Sequence, residues 1–154
     1  MNKEQLKAFM KESNKIEGEN RLNPNDLEVI EFITEQGFTM QGAILFVHEL
    51  LGRYLKRNWV GKYRTCQVCV GSYTPPAPLT VPYLMDKYFN EFDDMNSWTA
   101  HNEFEKIHPF QDLNGRVGRL IWLSKAIDEG YNFNIPFLQA YYYQTLSEYE
   151  KITL

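Results

Sequence analysis

The sequence is short of the features that would commit a chain to a special environment. Two cysteines in 154 residues cannot build a disulfide framework, and a chain of this length buries about 70% of its unfolded surface without any staple. The longest purely apolar runs, Ala43 to Val47 and Leu120 to Leu123, are far too short to cross a bilayer, and no basic-then-apolar leader opens the chain. Positive charge is not in excess either. Sixteen Lys and Arg against 20 Asp and Glu leave a net −4, the opposite of the basic stripe that nucleic-acid binding requires. Repeats, low-complexity tracts and linkers are also missing. These absences predict a single soluble domain spanning 1–154 in a reducing cytoplasm, with neither nucleic acid nor membrane as a partner. Any polyanion it binds must be held by a local site. What the chain does have is aromatics, ten Tyr and ten Phe, which imply a large core or a sticky surface.

Hydrophobic spacing predicts a mainly helical fold. Leu6, Phe9 and Met10 share one helical face between Asn2 and Ile16. Asn23 and Pro24 form a cap and first-turn pair for a second helix, which Gly37 can stop. Thr39 is expected to cap a third helix running to about Lys56, with Ala43, Val47, Leu50, Leu51 and Tyr54 as a wide buried stripe. From Gly61 to Pro78 the pattern changes. Tyr63 to Val70 is expected to form a strand, Gly71 and Ser72 its turn, and Pro75, Pro76 and Pro78 the end of a short hairpin. Thr80 and Pro82 open another helix, Ser97 is expected to cap a helix through Glu105, and Asn114 to Gly130 makes the next. A last helix is expected from Asn134 and Pro136, carrying Tyr141 to Tyr143 into the core.

The chemistry concentrates in His108-Pro-Phe-Gln-Asp112-Leu-Asn114-Gly115-Arg116-Val-Gly-Arg119. A helix ending at His-Pro, a tight turn and a helix starting at Asn114 leave several N–H groups pointing one way, which is an anion site. Arg116 and Arg119 sit in the first turns of that helix, where cations oppose the macrodipole. They cost stability there unless an anion lies between them. Asp112 supplies the hard oxygen that Mg²⁺ takes beside phosphates, and His108 supplies an imidazole able to take and give a proton.

These residues resemble the signature of the Fic family, His-x-Phe-x-[Asp/Glu]-Gly-Asn-Gly-Arg-x-x-Arg. His108, Phe110, Asp112, Asn114, Gly115, Arg116 and Arg119 stand in register with it, and Leu113 departs where the family has a small residue. Gly61-Lys-Tyr63-Arg64, Val68, Pro75-Pro76 and His101-x-x-Phe104-Glu105-x-Ile107 resemble its flanks. The resemblance implies a Fic-type helical bundle with a small β-hairpin flap, and transfer of AMP from ATP to a Tyr, Thr or Ser hydroxyl of a target protein. His108 is then the general base, and Asp112 holds Mg²⁺. Leu113, Asn114 and Gly115 offer backbone amides to the phosphates. Arg116 and Arg119 neutralise the β- and γ-phosphates, and Phe110 anchors the loop in the core. The flap, Cys69, Val70, Gly71, Ser72, Tyr73 and Thr74, would add a strand to the target. Gly115 favours nucleotidyl transfer over phosphorylation, and Leu113 bears on rate and nucleotide preference.

Ser13-x-x-x-Glu17-Gly18 resembles the inhibitory motif of Fic proteins that carry their own inhibitor. Residues 1–18 would then be a regulatory helix whose Glu17, one turn from Ser13, pairs with Arg119; the competing reading is an exposed helix glutamate. Two further alternatives stay open, hydrolytic removal of AMP at the same site and a catalytically silent nucleotide-binding module, and a homo-oligomer is compatible with all of them. His101 reads as a structural histidine behind the motif and His48 as a core or boundary residue. Cys66 and Cys69 lack a second ligand pair, so they are not read as a metal site.

Overall fold

The structure is a computed structural model that describes residues 2–36 and 41–131. Its architecture is helical: α1 (Lys3–Ile16), α2 (Pro24–Gln36), α3 (Gln41–Gly52), α4 (Val81–Asn90), α5 (Ser97–Ile107) and α6 (Asn114–Asp128). The expected stop at Gly37, the cap at Thr39, and the last helix with Tyr141 to Tyr143 lie outside the described residues.

Local chemistry explains where the helices begin. Asn2 caps α1 in a reciprocal box with Gln5. Asn23 does the same for α2: its side chain accepts from the Asp26 amide at 3.0 Å while Asp26 accepts from the Asn23 amide at 2.9 Å. At α5 the cap is Asn96, accepting from the Thr99 amide, and not Ser97. Ser97 instead donates from both its amide and its hydroxyl to Glu129, at 2.6 and 2.8 Å. A polar residue preceding Ser97 took the cap because a side chain one position earlier reaches the third amide, which left Ser97 free to tie α5 to the end of α6.

The core lies where α3, α5 and α6 meet, with α1 and α4 closing its sides. Leu6, Phe9 and Met10 are buried as their spacing implies, and so are Val47, Leu50, Leu51, Met85, Phe104, Phe110, Leu120 and Leu123. The most extensive helix pairing among the described residues is that of α5 with α6. Aromatic excess resolves into contacts that join elements. Phe9 of α1 stacks on Trp122 of α6 at 6.2 Å between centroids, and Tyr88, Phe89, Phe92 and Phe104 form a chain of tilted pairs between α4 and α5. Burial of the Tyr88 ring pushes its phenol well above the ordinary range, and the hydroxyl donates to the Ala100 carbonyl.

The segment between α3 and α4 departs from expectation. No strand spans Tyr63 to Val70; the hairpin reduces to one antiparallel bridge, Val70 with Tyr73, around Gly71 and Ser72. The physical reason is that side chains take the acceptors a ladder would use. Arg64 donates to the carbonyls of Cys66 and Pro76, and Gln67 to that of Pro75, while the prolines that follow have no N–H to return.

Candidate active site

The loop from His108 to Leu113 is a turn between α5 and α6 held in two left-handed conformations, His108 at φ 49° and Leu113 at φ 65°. Non-glycine residues occupy that region at a cost, and the surroundings over-determine it. Asn114 closes the turn from inside, accepting from the Phe110 amide and donating to the Phe110 carbonyl, both at 2.9 Å. Phe110 is fully buried, stacked on His48 at 3.8 Å.

His48 proves to be more than core. Its Nδ1 accepts from the Gly61 amide at 2.9 Å, so Nε2 carries the proton toward the Asp112 carbonyl, 3.3 Å away. Burial pushes its pKa down to about 4, which keeps the ring neutral and this tautomer in place. Arg64, likewise buried, is the residue that sequence reasoning left without a role. Its guanidinium donates to the carbonyls of His108 (2.8 Å), Cys66 (3.2 Å) and Pro76 (2.6 Å), and its amide to that of Pro109. One side chain thus fastens the flap segment to the His108 backbone. A lone Arg among aromatic and β-branched residues was the available signal, but nothing in spacing distinguishes a buried fork from a solvated charge.

Leu113 occupies the N-cap position of α6 and has no side chain to cap with, so the first-turn amides of Asn114, Gly115 and Arg116 remain open as anion donors. Arg116 is 8% exposed, its Nε has no hydrogen-bond partner among the described residues, and its Nη2 lies 3.5 Å from the Tyr54 hydroxyl. A buried guanidinium without a counter-charge is costly unless an anion joins it. Arg119, 2% exposed, is engaged: Nε donates to Ser13 Oγ at 2.7 Å, and Nη2 to the Ser13 carbonyl at 3.2 Å and to Glu17 Oε1 at 2.6 Å. The structure therefore brings Ser13, Glu17, Gly115, Arg116 and Arg119 together. A Cβ at Gly115 would stand 2.9 Å from Arg119 Nη1 and 3.1 Å from Glu17 Oε1, so the carboxylate rests on the first turn of α6 where only glycine leaves room.

What presents Glu17 is the end of α1. Gly18, at φ 79°, takes the left-handed position after the helix; its amide reaches the Lys15 carbonyl and that of Glu19 reaches Asn14, a Schellman closure. The Glu-Gly pair in the motif thus has a backbone cause. Buried Asn14 donates to Asp26 Oδ2 at 2.8 Å and fixes this end of α1 against the start of α2.

Asp112 is exposed beside the cradle, and one of its oxygens accepts from the Leu113 amide at 2.7 Å. Among the described residues no group of three or more His, Cys, Asp and Glu could hold a metal. A single carboxylate fits Mg²⁺ delivered with phosphates, whose oxygens complete the shell, and does not fit a resident ion. His108 packs with Nδ1 3.6 Å from Glu105 Oε2. His101 is buried, hydrogen-bonded to the Gly118 backbone and held below its ordinary pKa by that burial. The flap residues Cys69 to Thr74 are all exposed, with the Tyr73 hydroxyl anchored on the Lys106 carbonyl at 2.9 Å. Cys66 and Cys69 are free, exposed thiols.

The sequence profile of the Fic/DOC family matches residues 38–123, more than half of the chain. Among curated proteins, the chain is 27% identical over 108 residues to "Protein adenylyltransferase Fic" of Aedes aegypti, covering 64% of this chain and 22% of that protein. To a "Probable protein adenylyltransferase" of Aquifex aeolicus it is 29% identical over 113 residues, 68% of this chain and 34% of that protein. The chain thus spans between about a fifth and a third of the length of these relatives. Among solved structures, a Fic family protein from Desulfovibrio desulfuricans G20 superposes with a TM-score of 0.64 at 26% identity, over 82% of this chain and 49% of that one. Fic-1 from C. elegans, at 18% identity and a TM-score of 0.68 over 96% and 56%, shares the fold. No helix among the described residues is long and apolar enough to cross a membrane.

Proposed function

The chain belongs to the Fic/DOC family, and from that premise we propose that it transfers AMP from ATP to a hydroxyl side chain of a target protein and carries Glu17 as its own inhibitor. The observation that carries this reading is the unequal state of two buried arginines at one helix N-terminus. Arg119 is neutralised by Glu17, and Arg116 has no counter-charge among the described residues. A site with that charge balance accepts a polyphosphate once the carboxylate leaves.

In the reaction, His108 takes the proton of the target hydroxyl as the oxygen bonds to the α-phosphorus. The bond from that phosphorus to the bridging oxygen breaks, and pyrophosphate leaves. The open amides of Asn114, Gly115 and Arg116 would face the phosphates, the expected Leu113 amide being taken by Asp112, and the guanidiniums of Arg116 and Arg119 take the charge that grows on the leaving group. Asp112 would hold Mg²⁺, which supplies further neutralisation of the phosphate oxygens. The exposed edge at Val70 and Tyr73 presents the target segment by strand addition. With Glu17 on Arg119, the γ-phosphate has no seat.

The test is to incubate Glu17→Gly protein with cell lysate and labelled ATP. Label should pass to protein from α- but not γ-labelled ATP, and His108→Ala in the same background should abolish it. No gain in transfer over wild type would defeat the inhibitory role of Glu17. Release of AMP from modified protein without net transfer would replace the forward reaction by its hydrolytic reverse, and tight ATP binding without either would leave a nucleotide-binding module.

A further inference from the structure

One half-buried carboxylate takes no part in the chemistry above. Glu105 stands in the last turn of α5, with Oε1 buried and without a hydrogen-bond partner, and Oε2 3.6 Å from His108 Nδ1. That Nδ1 is itself buried and has no hydrogen-bond partner among the described residues, and the group it faces is Oε2 of this carboxylate. As placed they form an ion-pair contact and not a hydrogen bond. Closing the gap to an ordinary length of about 2.8 Å needs a movement under about 1 Å, and catalytic contacts of this kind tighten when substrate arrives.

Helix α6 makes room for the carboxylate. A Cβ at Gly118 would lie 2.2 Å from Glu105 Oε1 and 3.1 Å from His101 Nδ1. Glycine inside a helix costs about 1 kcal/mol relative to alanine, and here it lets Glu105 lie against the α6 backbone. Among the described residues, the titratable groups that it acts on are His101, His108 and the Tyr88 phenol of α4, with Arg119 acting on His101 from α6. Burial holds His101 below its ordinary pKa and Arg119 is engaged by Ser13 and Glu17, while Oε2 of the carboxylate faces His108.

We propose that Glu105 is a positioning residue: its carboxylate accepts the Nδ1–H of His108 and holds the imidazole in the tautomer whose Nε2 has a free lone pair. The 16% exposure of the His108 side chain belongs to atoms other than the buried Nδ1, so the buried edge of the ring is the one that Glu105 meets. When Nε2 takes the hydroxyl proton, the ring becomes a cation and Nδ1–H stays bonded to Glu105. No proton passes to the carboxylate; it steadies the imidazolium. The catalytic consequence rests on His108 being the base, whereas the tautomer is a property of the free protein.

Long-range ¹H–¹⁵N spectra of the wild-type protein, taken where the ring is neutral, report the tautomer directly. His108 should carry its proton on Nδ1. Glu105→Met, similar in size and without an acceptor, should move the proton toward Nε2. Glu105→Gln, which still offers an acceptor, should restore the wild-type pattern. In the Glu17→Gly background, Glu105→Met should lower kcat roughly 10- to 100-fold, a part of the 10²–10⁴ that general bases contribute, with KM for ATP unchanged; the Gln variant should recover most of it. A wild-type ring protonated on Nε2 overturns the proposal, whatever the variants do. So does a Glu105→Met protein with the wild-type tautomer or the wild-type kcat. Should Glu17→Gly transfer no AMP at all, the base assignment fails, and the spectra still decide what Glu105 does.

Discussion

Replacing Glu17 by alanine should move stability and nucleotide affinity in opposite directions. Arg119 makes three contacts to the end of α1, two to Ser13 and one to Glu17 Oε1 at 2.6 Å. A hydrogen bond to a charged group contributes about 1.5–3 kcal/mol. Here the arginine side chain is 3% exposed but that of Glu17 is 36% exposed, so solvent screening reduces the loss to about 1–2 kcal/mol. For a domain of this size that is a fall in Tm of about 2–8 °C without nucleotide. The same change frees Arg119 and removes a carboxylate from the cradle, so ATP should bind about 5- to 30-fold more tightly, the same 1–2 kcal/mol expressed as affinity. Thermal unfolding with and without ATP and Mg²⁺ reads both. The variant should be less stable than wild type alone and gain more from ATP, because stabilisation grows as RT ln(1 + [L]/Kd). Glu17→Gln, which keeps an acceptor and loses the charge, should fall between. An unchanged Tm together with an unchanged ATP response would show that the Arg119 contact competes with nothing.

Other substitutions probe the supports. Arg64→Lys keeps the charge but cannot reach three carbonyls from one planar fork; urea unfolding should show a loss of about 2–4 kcal/mol, and stability equal to wild type would refute the clamp. Gly115→Ala places a methyl 2.9 Å from Arg119 Nη1, so it should weaken ATP binding even in the Glu17→Ala background, as calorimetry can measure. His48 has a folded pKa of about 4 against an ordinary 6.5, so the unfolded chain binds the extra proton. Its contribution to stability is complete above about pH 6.5 and is lost as pH falls through about 4, in all about 3 kcal/mol. His48→Gln should flatten the pH dependence of unfolding in that window, and an unaltered slope would place the titration elsewhere.

Much of the fold was legible because it rests on local rules. The Asn23-Pro24 start of α2, the apolar faces of α1 and α6, and the cluster of His108, Asp112, Arg116 and Arg119 around one turn all follow from residues a few positions apart. The errors came where a side chain's own hydrogen bonds overrode a composition or capping preference. Tyr63 to Val70 has strand composition, yet Arg64 spends the local carbonyls on its own guanidinium; Ser97 is a good cap that Asn96 displaced. His48 was legible as a core residue but not as the link between Gly61 and Asp112, and Arg64 was invisible as a clamp.

Sequence by itself set the expectation of an anion site: two arginines in the first turns of a helix oppose its dipole and call for a negative partner. It also put Ser13 and Glu17 one turn apart near the end of α1, while the left-handed Gly18 that closes the helix is a finding of the structure. Tertiary structure alone decided which negative group sits there. Ser13 and Glu17 are more than a hundred residues from Arg119, and only the packing of α1 on α6 through Phe9 on Trp122, with Asn14 on Asp26 holding the end of α1 against α2, brings the carboxylate to the arginine. Periodicity shows which face of a helix is buried; it carries no information about which partner that face meets, because apolar burial is non-directional and the partner is chosen by the whole core.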